Sequence, residues 1–109
     1  MAKHEFGIMK NNPKLSVRYD AYESQKYNSI SVDDDYIEQI VPRLNDVVFY
    51  WHSLDMPAKG LAYCGVTLIP PASIERMIEV IKTVDAHSDL TQLLQKAQSE
   101  NKWVIHFGL

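Results

Sequence analysis

Apolar residues recur at three- and four-residue spacings in some stretches of the chain and alternate with polar residues in others, which predicts helices and strands respectively. Ile37, Ile40, Val41, Leu44, Val47, Val48 and Trp51 share one helical face, so a first helix is expected over this stretch, kinked at Pro42, which lacks an N–H to donate. The run Asp33-Asp34-Asp35 marks its start, with Asp35 as N-cap and Glu38 three residues on in a capping-box spacing. Residues 71–84 predict a second helix, with Pro71 in its first turn and Ile74, Met77, Ile78, Ile81 and Val84 as its buried stripe. Ser88 caps a third, whose stripe is Leu90, Leu93, Leu94 and Ala97 and whose end falls at Asn101 in a left-handed conformation.

Four stretches read as strands: residues 15–19, 27–32, 60–69 and 103–107, the third being rich in β-formers and closed by Pro70-Pro71. Residues 1–14, with NNP and little pattern, read as an N-terminal arm or irregular lead-in to a single domain over 15–109. Strands interleaved with helices predict an α/β or α+β two-layer sandwich: a small mixed sheet of three to four strands with three helices on one face. Taking each strand's more apolar side as the helix-facing one places Ala62, Cys64, Val66 and Leu68 in the core. It leaves Tyr27, Ser29, Ser31, Tyr63, Gly65, Thr67 and His106 on an open face.

Composition narrows the class. At 109 residues, 46% of them hydrophobic, the chain is long enough for one core without a disulfide or metal. It has no apolar run of membrane-spanning length and no signal peptide, and its single cysteine suits a reducing compartment, so a cytoplasmic setting is expected. The net charge is −3 and unevenly spread: residues 1–26 carry five basic and three acidic side chains, residues 27–56 six acidic and one basic. Neither segment makes the basic stripe that a phosphate backbone requires, which argues against nucleic acid, while the basic N-terminal part suits an acidic surface on a partner or second copy.

Candidate chemistry is sparse. His52, Asp55 and Cys64 lie close in sequence, but a cysteine on an apolar strand face behaves as a small hydrophobe, and His-Ser-Leu-Asp lacks the two histidines four apart of a zinc protease. A divalent-metal site built on His52 and Asp55 requires a distant histidine, His4, His87 or His106. A small-molecule or enzymatic site around His106, Tyr63 and Thr67 is the other alternative. There is no glycine-rich phosphate loop, no nucleophile elbow and no paired CxxC, so no cofactor and no catalytic residue is assigned.

At VDDDY, GLAYCGVTLIPP and the terminal VIHFGL the chain resembles a family of short, functionally uncharacterised proteins of Gram-positive bacteria, over most of its length from Phe6 onward. The resemblance implies a bacterial cytosolic protein and carries over no functional residue. The expected function is therefore a non-enzymatic interaction module that self-associates or binds a protein partner. The surface expected for it is the open sheet face, with Tyr27, Tyr63, Thr67 and His106, together with the off-stripe aromatics Phe49 and Tyr50.

Overall fold

The computed structural model describes residues 3–14, 17–19, 24–62, 65–84 and 89–108. Within these residues the elements are β1 (Lys3–Ile8), β2 (Ile30–Asp33), α1 (Asp34–Ile40), β3 (Val48–Trp51), β4 (Pro57–Lys59), β5 (Val66–Ile69), α2 (Pro71–Lys82), α3 (Asp89–Ser99) and β6 (Val104–Phe107). Short 3-10 turns lie at Ser24–Tyr27 and Val41–Leu44. The strands form one sheet in the order β2-β1-β6-β5-β3-β4, with every neighbouring pair antiparallel. The domain is thus α+β, with six described strands rather than three to four and no parallel pair. The two helices between β5 and β6 explain the direction: α2 leads away and α3 returns, so β6 re-enters the sheet antiparallel to β5.

Several expected elements are corrected, among them the strands expected at 27–32 and 60–69, which are Ile30–Asp33 and Val66–Ile69. Residues 3–8 are not a lead-in but an inner strand, paired with β2 on one side and β6 on the other. The long first helix stops at Ile40; the chain tightens into the 3-10 turn at Pro42 and then becomes strand β3. Proline removes the hydrogen bond that would continue the helix, and beyond it Val48-Phe49-Tyr50-Trp51 is a β-branched and aromatic run that fits a pleated sheet better. The helix also begins at Asp34 with Asp33 as an extended N-cap, earlier than expected, because β2 pairs as far as Asp33 and runs straight into it. Of the strand expected at 15–19, Leu15 and Ser16 lie outside the described residues and 17–19 are not strand.

The second and third helices and the terminal strand match expectation closely. Asn101 adopts φ 54° and closes α3: its N–H donates to the Gln98 carbonyl at 3.2 Å and the Lys102 N–H to Ala97 at 2.9 Å, the paired bonds of a Schellman end.

The sheet is covered on both faces. On one side Phe6, Phe49, Ile69 and Val104 pack with α1, α2 and α3 into the main core, where Ile37, Ile74, Met77, Ile81, Leu90 and Leu94 are completely buried. On the other side Met9, Val66, Leu68, Ile105 and Phe107 form a second core. Among the described residues no α-helix packs on it; the half-buried Tyr19, Tyr27, Tyr50, Leu54 and Trp103 do. The expected orientation of β5 and β6 is therefore reversed: Val66 and Leu68 point away from the helices, and Thr67 and His106 point toward them.

The coat over the second face reaches Gly7, where an added Cβ would lie 2.6 Å from the Tyr27 Cβ and 2.9 Å from its carbonyl oxygen. The Ser29 hydroxyl, 2.8 Å away, can rotate, but the Tyr27 Cβ and carbonyl oxygen move only with the backbone. Gly7→Ala is expected to destabilise the fold by about 2 kcal/mol, the scale of overpacking in a tight interior, and to loosen the Tyr27 segment. Urea unfolding with tyrosine fluorescence measures both effects.

Candidate functional site

The helix side of the sheet carries a buried polar chain that crosses four elements. Cross-strand pairing sets Phe6, His106 and Thr67 side by side on β1, β6 and β5, and His4 follows two residues before Phe6 on the same face. His4 Nδ1 lies 2.8 Å from His106 Nε2, His106 Nδ1 lies 3.3 Å from Thr67 Oγ1, and His4 Nε2 lies 3.0 Å from Asp34 Oδ1 at the start of α1. The Ala62 N–H donates to Thr67 Oγ1 at 2.8 Å. His4, Thr67 and His106 are fully buried, and Asp34 keeps about a fifth of its side chain in solvent. The two imidazoles are stacked, 5.1 Å between centroids at 12°, and His106 leans on Phe6 at 4.7 Å.

Burial holds the His106 pKa down, from 6.5 to about 3, and the charge of a protonated His4 beside it pushes the same way. One proton arrangement pairs every group in the chain. The Thr67 hydroxyl donates to His106 Nδ1, His106 Nε2–H donates to His4 Nδ1, and His4 Nε2–H donates to the Asp34 carboxylate. Reversing the central bond would make the Thr67 oxygen accept from both Ala62 and His106, and would leave the hydroxyl proton with no acceptor among these groups.

Carboxylate, histidines and hydroxyl stand in an order that in a hydrolase orients a nucleophile. Here the hydroxyl is fully buried and engaged on both sides, by His106 and by the Ala62 N–H. The chain ties β1, β5, β6 and α1 together.

The residues singled out in the sequence are dispersed. Thr67 and His106 come together, but inside the main core rather than on an open face; Phe49 is completely buried there too and offers no contact surface. Tyr27 and Tyr50 are half-buried in the second core, tilted against Phe107 at 6.0 Å and Trp103 at 5.6 Å. Tyr63, Cys64 and His87 lie outside the described residues. His52 sits not at a helix end but in the turn between β3 and β4, at φ 66°, with its ring against Gly65 and its Nδ1 unpaired among the described residues. Asp55 is exposed in the same turn, and no hydrogen bond or ion pair joins it to His52. Among the described residues no three His, Cys, Asp or Glu side chains converge to hold a metal, and no helix is long and apolar enough to cross a membrane.

Two surface clefts adjoin, sharing Lys10 and Tyr27 as lining residues. The first, about 560 Å³, lies between α3 and the β1–β2 end of the sheet. The second, about 520 Å³, lies among residues 9–14, 17–19 and 26–27. Its wall holds Lys10, Lys14 and Lys26 with Tyr19 and Tyr27, and no acidic residue among those described. None of the three ammonium groups has a carboxylate partner among the described residues. The Lys14 N–H donates to the Tyr19 hydroxyl at 3.1 Å, and the Lys26 ammonium stands 5.8 Å from the Tyr27 ring centre. Neither His106 nor Thr67 lines either cleft.

Sequence reasoning missed the roles of His4 and Asp34, and of Lys10, Lys14 and Tyr19 as cleft walls. The excess of basic residues over 1–26 is the signal that points to the second cleft. Comparison of the chain with protein-family models, with characterised proteins and with solved structures finds no match.

Two outcomes are expected of the buried chain. The unfolded His106 titrates near 6.5 and the folded one near 3, so between these values the unfolded state binds the extra proton. The stabilisation from neutral His106 is complete above pH 6.5 and is lost as pH falls toward 3, by about 1.4 kcal/mol per pH unit. Denaturant unfolding against pH should show this slope, and His106→Gln should flatten it. Thr67→Val keeps the shape but strands the Ala62 N–H and His106 Nδ1; calorimetry should register a loss of about 2 kcal/mol at neutral pH, largely restored by Thr67→Ser.

Proposed function

We propose that this protein is a non-enzymatic interaction module that binds an acidic segment of a partner protein at the second cleft. The observation that carries the reading is the gathering of Lys10, Lys14 and Lys26 around Tyr19 and Tyr27, without a carboxylate partner among the described residues, on a chain of net charge −3. Unpaired lysines at one place on an acidic protein raise the local potential where an anionic group docks. Half-buried tyrosines supply contact area with little rotamer entropy to lose, as at protein interfaces.

The acidic overall balance disfavours a nucleic-acid strand, whose phosphates would meet repulsion away from the cleft. The open-sheet surface expected from the sequence gives way to this one, because both sheet faces are covered; Tyr27 alone belongs to both. The single cysteine supports a reducing, cytoplasmic setting for the module, and the family resemblance supports a bacterial one.

A labelled glutamate-rich peptide titrated against the protein at low salt is the direct check, read by fluorescence anisotropy. Saturable binding that weakens with salt is expected, and Lys14→Glu with Lys26→Glu should weaken it at least about tenfold, or 1.4 kcal/mol. Equal binding by the double variant, or tighter binding of a single-stranded oligonucleotide than of the peptide, would overturn the reading.

A further inference from the structure

The first cleft differs from the second in having an apolar floor. It opens where β1 outruns its neighbour: Phe6↔Ile30 is the last β1–β2 pair, and β1 continues to Ile8 on the β6 side alone. The chain leading into β2 is turned by Asn28 at φ 51°, which lines the same cleft. Ile8 and Ile30 therefore meet at a step in the sheet edge, half-buried and resting on the main core. Leu93 of α3 closes the floor; Leu90, Leu94 and Ala97 of the same stripe are fully buried, while Leu93 at its margin remains half-buried.

The rim is basic. Lys96 follows Leu93 by one helical turn, and Lys10 stands just beyond the end of β1. Lys102 is held by Glu100 at 3.4 Å, whereas Lys10 and Lys96 have no carboxylate partner among the described residues. A volume of about 560 Å³ falls in the range of small-molecule sites.

We infer that the first cleft binds a small amphipathic anion, its hydrocarbon body on Ile8, Ile30 and Leu93 and its charged head between Lys10 and Lys96. The floor recovers apolar area from water, and the two ammonium groups select the sign of the head. This cleft shares Lys10 with the acidic-peptide site and differs from it in its floor and in Lys96. A cationic amphiphile is repelled by the same lysines, and a neutral one gains only the floor.

Isothermal titration of the intact protein with decanoate, decyl phosphate, decanol and decyltrimethylammonium, each below its micelle concentration, tests this. The anionic probes should bind at one site at least about tenfold more tightly than decanol, the tighter of the two assigning the head group, and the cation should not bind. Lys96→Glu, at an exposed position that leaves folding intact, should abolish the preference for the anions over decanol. The Lys14→Glu, Lys26→Glu variant should bind decanoate as the parent does while losing the acidic peptide, so each site can fail alone. Decanol binding as tightly as the anions, no effect of Lys96→Glu, or no binding of any anionic probe at millimolar concentration would overturn the inference.

Discussion

The hydrogen bond between His4 and His106 joins the first strand of the chain to the last inside the main core, and much of the structure is arranged to allow it. An imidazole removed from water costs several kcal/mol unless both ring nitrogens are partnered. The two histidines meet that requirement only as a pair, with Asp34 at one end and Thr67 at the other. Removing any one member leaves a buried donor or acceptor exposed to the full desolvation penalty. The chain therefore fixes relationships that apolar packing alone specifies less sharply: β1 beside β6, the start of α1 over β1, and Thr67 turned inward.

That inward turn frees the other face of β5 and β6 for a second core, and the second core needs a cover. With the described α-helices on the first face, cover comes from Tyr19, Tyr27, Tyr50, Leu54 and Trp103, side chains from turns and strand ends. Aromatic rings suit this task because each shields a large area from a short attachment. Gly7 lets the Tyr27 segment approach the sheet closely. The clefts lie along the border of this cover. The candidate recognition surface is thus a consequence of how the second face is closed, and its lysines sit on the segments that close it.

Much of the architecture was legible in the chain. The stripes of α2 and α3, the Pro71 start, the Asn101 end and the terminal strand follow from local patterns whose physical causes act within a few residues. The first helix failed because Val47, Val48 and Trp51 continue its period by coincidence past a proline that had already ended it. Strand β1 was hidden by the chemistry of histidine: His4, Phe6 and Ile8 alternate with Lys3, Glu5 and Gly7, but the pattern emerges only if His4 counts as a core residue. The same misreading reversed the faces of β6, where Val104 and His106 look less apolar than Ile105 and Phe107.

The sequence by itself determined where the two longer helices and the last strand form, and that positive charge concentrates in the first quarter. These depend on periodicity, caps and composition, which are properties of neighbours along the chain. Only the tertiary structure decided that residues 4 and 106 meet, which face of each inner strand is helical, and which lysines share a cleft. A histidine's polarity is fixed by its covalent structure, but whether it sits in water or in a core depends on a partner about a hundred positions away. No local pattern encodes that partner.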